Sequence, residues 1–298
     1  MANNIAVLGL GLMGSKFAGH FLADDRPVVG YDPDPNRRRD LDTMGGRAVG
    51  TVGDAVSEVS EAGIVLLSLP TSEVMLAVCD EIVAADAHRL LVIDTTTGAP
   101  DDSISAAATL ADAGHSYVDA TVSGNAAQLA AKDVIFMIGG APDDVSAASN
   151  LLRPLGRNVY AVGPIGAGAR AKLVVNHILS INRTAVAEGL TVAEKAGLDL
   201  PPMLDVLRDS AAYSRAMDIW GQRMVDGDHL PPASRVRQSH KDSRLINSHA
   251  EEVGASHALV EVVRQALVEA EQAGLSDADN SSIMELMRRR AGIGRFPP

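Results

Sequence analysis

Between residues 4 and 163 the chain repeats one pattern: a short apolar run, a polar or glycine-rich break, then a longer stretch with apolar residues at helical spacing. The apolar runs cover residues 4–9, 27–32, 64–68, 90–94, 117–123 and 133–140. Runs this short, bounded by turn residues, predict strands, and stretches such as the one carrying Phe17, Phe21 and Leu22 predict helices. Alternation of the two predicts an α/β fold, an open, doubly wound and mostly parallel sheet covered by helices.

The pattern changes near residue 164. Gly and Pro crowd residues 163–168, and from about 168 to 196 no proline interrupts a stretch rich in Ala, Leu, Val and Glu. That composition predicts one long helix, roughly 40 Å at 1.5 Å per residue. Farther on, residues 201–209, 214–224, 239–253, 258–273 and 281–290 carry helical patterns, and no two-residue alternation appears. A first domain is therefore expected over residues 1–163, and an all-α second domain over residues 164–298, beginning with the long helix.

Composition narrows the function classes. A chain of 298 residues, 46% hydrophobic, can bury a large core, and its net charge of −12 opposes nucleic-acid binding, which needs a clustered positive field. Arg288, Arg289, Arg290 and Arg295 do cluster, but cations in the last turn of a terminal helix complement its dipole. One cysteine, Cys79, leaves no internal disulfide and fits a reducing compartment. No basic-then-apolar leader opens the sequence and no apolar run reaches the ~18 residues that span a bilayer, so a cytoplasmic protein without membrane contact is expected. The histidines, His88 among them, form no H-x-x-x-H pair, so no metal is expected.

Candidate chemistry begins at Gly9-Leu10-Gly11-Leu12-Met13-Gly14, a G-x-G-x-x-G between the first strand and the first helix. The first glycine permits a tight turn, the second lets backbone approach a pyrophosphate, and the third lets the helix pack closely. Asp32 ends the second strand, where a carboxylate accepts from both hydroxyls of an adenine ribose and repels a 2′-phosphate, pointing to NAD. Arg37, Arg38 and Arg39 follow, either as an exposed helix face or within reach of a 2′-phosphate, which keeps NADP open. Leu69, Pro70, Thr96 and Thr97 sit in loops at strand carboxyl ends, as cofactor contacts or as caps. Ser123 and Gly124 form a polar turn whose hydroxyl and N–H groups suit a carboxylate, or a plain connection. On the long helix Lys172 and Asn176 lie four residues apart on one face amid Leu173, Val175 and Leu179. A lysine there either snorkels to solvent or, half-buried, exchanges a proton near neutral pH. Lys241 and Asp242, taken alone, read as surface charges opening a helix.

Four segments agree in order and spacing with one family. The loop at residues 9–14, Asp119-Ala-Thr-Val-Ser123-Gly124, Gly166-Ala-Gly168-Ala-Arg-Ala-Lys172-Leu-Val-Val-Asn176 and His240-Lys241-Asp242-Ser-Arg-Leu245 resemble the motifs of the β-hydroxyacid dehydrogenases. The resemblance covers nearly the whole chain and implies a Rossmann domain and an all-α domain joined by a long helix, in homodimers or homotetramers through the α domain. It implies a small 3-hydroxy acid as substrate, NAD or NADP as cofactor, and Lys172 as general acid/base. Asn176 would orient it and the substrate, Ser123 and Gly124 would hold the substrate carboxylate, and Lys241 would approach the nicotinamide. The substrate loop departs from the family pattern at Asn125, which would add a side chain beside the acid, and at Gln128; His177 departs beside Asn176. Two alternatives stay open: an NADPH-dependent reductase of a small aldehyde acid, and a nucleotide sensor without turnover.

Overall fold

The structure is a computed structural model that describes residues 4–59, 63–85 and 89–293. His88 and Arg295 lie outside the described residues. The chain divides into two compact units, Met1–Lys172 and Leu173–Pro298.

The first unit is an eight-stranded sheet ordered β3-β2-β1-β4-β5-β6-β7-β8. Its strands are β1 (Ile5–Leu8), β2 (Val28–Tyr31), β3 (Arg47–Ala48), β4 (Ile64–Leu67), β5 (Leu91–Asp94), β6 (Ser116–Ser123), β7 (Ile135–Gly139) and β8 (Asn158–Gly163). The helices are α1 (Gly14–Ala23), α2 (Pro35–Thr43), α3 (Val52–Ser57), α4 (Ser72–Ala84), α5 (Pro100–Asp112), α6 (Ala126–Ala130) and α7 (Pro142–Leu152). Successive side chains of each central strand enter opposite cores: Ile5 and Val7 pack with Phe17 and Phe21, whereas Ala6 and Leu8 pack with Val52 and Ile82. Strands apolar on both faces are what helices on both faces demand. Pro opens α2, α5 and α7 at the position where its missing N–H costs nothing. Cys79 is buried under this sheet, and burial pushes its thiol up to about 12.

All pairings are parallel except β6 with β7. The residues joining those two strands are too few for a parallel crossover, so the chain turns back. Inside that connection sits α6, absent from the sequence expectation because five residues carry no helical period. The edge strands β3 and β8 are also additions: β3 has two residues, and β8 exposes Tyr160 and Val162 instead of showing an apolar run.

One buried carboxylate joins β6 to the long helix α8 (Ala167–Lys195). Asp119 accepts from the N–H groups of Gly166 at 2.8 Å and Ala169 at 2.7 Å, and the Thr121 hydroxyl donates to the Gly168 carbonyl at 2.8 Å. The approach needs glycine: a Cβ on Gly168 would stand 2.3 Å from the Asp119 carbonyl oxygen.

The second unit takes α8 from Leu173 onward, then α9 (Leu200–Asp209), a π-turn at Met217–Gly221 running into α10 (Gln222–Asp226), α11 (Val236–Glu252), α12 (Ala258–Gln272) and α13 (Ile283–Arg290). Its core gathers Val186, Leu190, Leu204, Trp220, Leu267 and Met284. Because α11 starts at Val236, Lys241 and Asp242 lie in its second turn and do not open the helix as expected. Buried Arg183 packs its guanidinium over Trp220, 5.1 Å from the ring centroid.

Two acids of the sheet titrate outside the ordinary range. Burial raises Asp94 and Asp119 from 3.8 to about 6, against the hydrogen bonds from Thr96 and Tyr117 to Asp94, and from Gly166 and Ala169 to Asp119, that favour the charged forms. Each folded-state value lies above the unfolded one, so the native chain binds more protons across this window and each group's contribution to stability falls as pH rises from about 4 to about 6. The change is about 3 kcal/mol per group. Carbon-13 titration of the folded chain should therefore show two carboxyl midpoints near 6, and two midpoints near 4 would contradict the burial argument.

Candidate functional site

The glycine loop is built as its sequence requires. Gly9 adopts φ +90°, a left-handed conformation, and a Cβ there would stand 2.4 Å from the Ser68 carbonyl oxygen. A Cβ on Gly14 would stand 1.8 Å from the Gly9 carbonyl oxygen, so only glycine lets α1 begin this close to β1. At Gly11 the space is open, with only the Arg37 guanidinium within reach at 3.6 Å. Among the described residues none accepts from the N–H groups of Gly11, Leu12 or Met13. Three free donors at a helix N-terminus, beside a position without a side chain, fit a pyrophosphate.

Asp32 follows β2 and is buried. Its carboxylate accepts from the Leu10 N–H at 2.8 Å and the Asp34 N–H at 2.9 Å, so it also fixes the loop. Arg37 pairs with it at 3.1 Å while remaining half exposed. Arg38 donates to the Asp32 carbonyl at 2.6 Å, and Arg39 donates to Asn36. The three arginines are therefore not one equivalent exposed face: the first two wrap the end of β2.

The loops after β4 and β5 are tied together, since the Leu69 N–H donates to the Thr96 hydroxyl at 3.2 Å. Thr96 is buried and serves as that brace, whereas Thr97 is half-buried and Pro70 exposed. At the end of β6, Ser123 is partly open and Gly124 takes φ +146°, where a Cβ would stand 2.5 Å from a Val134 methyl. Asn125 caps α6: its side chain accepts from the Gln128 N–H at 2.9 Å, and the Gln128 side chain accepts from the Asn125 N–H at 3.1 Å. The two departures in this loop thus form a capping box, a local structural role distinct from the substrate contact expected of Asn125.

Lys172 and Asn176 are half-buried, one turn apart on α8, and His177 is half-buried beside Asn176. Within the second unit the Asn176 amide donates to Asp242 at 2.9 Å, and the Lys241 ammonium lies 3.4 Å from the other oxygen of the same carboxylate. Asp242 is a partner of two candidate residues, not the bare surface charge expected. Its link to Asn176 spans 66 positions, so no local pattern signals it. Asp119, the one charged residue of β6, did carry a sequence signal. Among the described residues no three His, Cys, Asp or Glu side chains group as a metal site, and no helix is long and apolar enough to cross a membrane.

Comparison with known proteins agrees with this construction. Residues 4–163 match the NAD binding domain of 6-phosphogluconate dehydrogenase, and residues 166–287 match the family described as NAD-binding of NADP-dependent 3-hydroxyisobutyrate dehydrogenase. The chain is 30% identical over 300 residues to 3-hydroxyisobutyrate dehydrogenase of Pseudomonas aeruginosa, covering 96% of this chain and 98% of that one. It is 32% identical over 203 residues to "Probable 3-hydroxyisobutyrate dehydrogenase" of Mycobacterium tuberculosis, 68% of each chain. The solved structure of Mycobacterium tuberculosis 3-hydroxyisobutyrate dehydrogenase with L-serine superposes with a TM-score of 0.87 at 27% identity, over 97% of this chain and all of that one. With its glycine loop, its sheet and both matched regions in register, the chain belongs to the β-hydroxyacid dehydrogenase family.

Proposed function

We propose that this chain oxidises the carbinol carbon of a small 3-hydroxy acid, with NAD as the preferred cofactor and Lys172 as general base. Residues 1–163 form its nucleotide-binding part and residues 164–298 its substrate and dimerisation part. The observation that carries the reading is the pair Lys172 and Asn176, one turn apart on the helix that Asp119 anchors to the sheet. The relatives named above supply the substrate class, and L-serine, bound in one of them, is itself a 3-hydroxy acid.

The dinucleotide fits the free N–H groups at Gly11, Leu12 and Met13; Asp32, Leu69, Pro70 and Thr97, at strand carboxyl ends of the same unit, would contact it, and the family resemblance adds Lys241. When bound, the nicotinamide would supply the hydride acceptor for oxidation of the carbinol carbon. The Ser123 hydroxyl and the Gly124 N–H hold the substrate carboxylate. Lys172 takes the hydroxyl proton at Nζ and returns it in the reverse reaction, a transfer that contributes 10²- to 10⁴-fold. Asn176 orients the hydroxyl, which adds the advantage of a fixed geometry. A second reading has one specific support: Arg37 neutralises Asp32 and stays half exposed, as a chain that accepts NADP and reduces an aldehyde acid would require.

Three measurements test this. Initial rates with 3-hydroxyisobutyrate, 3-hydroxypropionate and L-serine, each with NAD and with NADP, should show turnover with a preference for NAD; a clear NADP preference selects the second reading, and no turnover with any pair removes both. Lys172→Met should lower kcat by about 10²- to 10⁴-fold and leave dinucleotide affinity within about threefold. Gly11→Ala should keep the melting temperature within a few degrees but weaken dinucleotide binding about tenfold or more, whereas Gly14→Ala should cost about 1–3 kcal/mol of stability through its clash with the Gly9 carbonyl.

A further inference from the structure

We propose that Asp242 is a positioning residue that fixes which end of the Asn176 amide faces the substrate and holds the Lys241 ammonium beside it. The proposal rests on the dehydrogenase reading above and extends it to a residue that reading does not use.

An asparagine amide has a donor end and an acceptor end of nearly equal size, and its own rotamer does not choose between them. A carboxylate is acceptor-only, so whichever end meets it must be the NH₂. With Asn176 Nδ2 at 2.9 Å from Asp242 Oδ2, the Asn176 carbonyl oxygen is turned away from α11. That oxygen then accepts from a hydroxyl or an ammonium and never competes as a donor. The other oxygen of Asp242 has its own task. Neighbours in sequence diverge around a helix, yet Lys241 Nζ lies 3.4 Å from Asp242 Oδ1, so the lysine stem folds back along its own helix. One carboxylate thereby ties a residue of α8 to a residue of α11, with one oxygen for each. Both partners are largely shielded from water, at 32% exposure for the Lys241 side chain and 21% for Asp242, which strengthens the charged contacts relative to surface pairs.

Replacing the acid by its amide isolates this role. Asp242→Asn keeps the shape, but an amide offers Asn176 a donor or an acceptor alike, and the orientation is no longer imposed. The purified full-length protein carrying Asp242→Asn or Asp242→Ala should lose about 10- to 100-fold in kcat/KM with 3-hydroxyisobutyrate or L-serine, whichever the wild type turns over faster, at a melting temperature close to wild type. A structural residue would show the same single-variant loss, so the decisive measurement is the double-mutant cycle. Because Asp242 acts largely through Asn176, with only its hold on Lys241 remaining, the Asn176→Ala, Asp242→Ala double variant should lose clearly less than the product of the two single losses; losses that multiply in full overturn the proposal. A second arm needs no substrate. The Asn176 side-chain amide signal, assigned by its disappearance in Asn176→Ala, should shift and lose protection from exchange in Asp242→Asn. An unchanged signal overturns the proposal on its own. Should the wild type turn over neither acid, the dehydrogenase reading fails, and the amide signal still decides whether Asp242 orients Asn176.

Discussion

The structure depends on a carboxylate placed where water cannot reach it. Asp119 sits within a strand, between β5 and β7, and burying its charge is costly enough to raise its pKa to about 6. Two backbone N–H groups at the start of α8 offset that cost, and they are donors that a helix N-terminus would otherwise leave unpaired. The arrangement solves both problems with one contact. It also sets the axial position of α8, because Ala169 is one turn before Lys172. Glycines at 139 and 168 make room for it: a side chain at either would collide with Asp119.

The same economy recurs. Asp32 follows β2 and accepts from the loop after β1; Thr96 follows β5 and accepts from the loop after β4; Asp94 accepts from its own loop and from Tyr117 of the next strand. In each case a polar side chain at or just beyond a strand end fixes the loop beside it. Loops at the carboxyl ends of parallel strands are where ligands bind in open α/β sheets. Here they are cross-tied before any ligand arrives, which limits the ordering that binding has to impose.

How much of this was legible follows from how local each signal is. The strands β1, β2, β4, β5, β6 and β7 announced themselves as apolar runs, because a sheet covered on both faces buries every side chain. The glycine loop was legible because its three glycines fall within six residues between a strand and a helix, Gly9 and Gly14 under steric demand and Gly11 leaving open space. The edge strand β8, with exposed Tyr160 and Val162, has no buried face to write a pattern. The short helix α6 is shorter than two turns, and its cap at Asn125 resembled a substrate contact because both roles ask for a polar side chain after a strand. These long-range links could not be read at all: Asp119 to Ala169 spans 50 positions and Asn176 to Asp242 spans 66. No period connects such residues; only the folded topology does.

The protonated, enclosed thiol of Cys79 has a use at the bench. A buried sulfhydryl pushed to about 12 is almost wholly unreactive toward alkylating reagents at neutral pH, and it is the chain's only one. A cysteine introduced at any exposed position would therefore take a fluorophore or spin label selectively without first removing the native one, and distances between labelled helices could be followed in an otherwise unaltered protein.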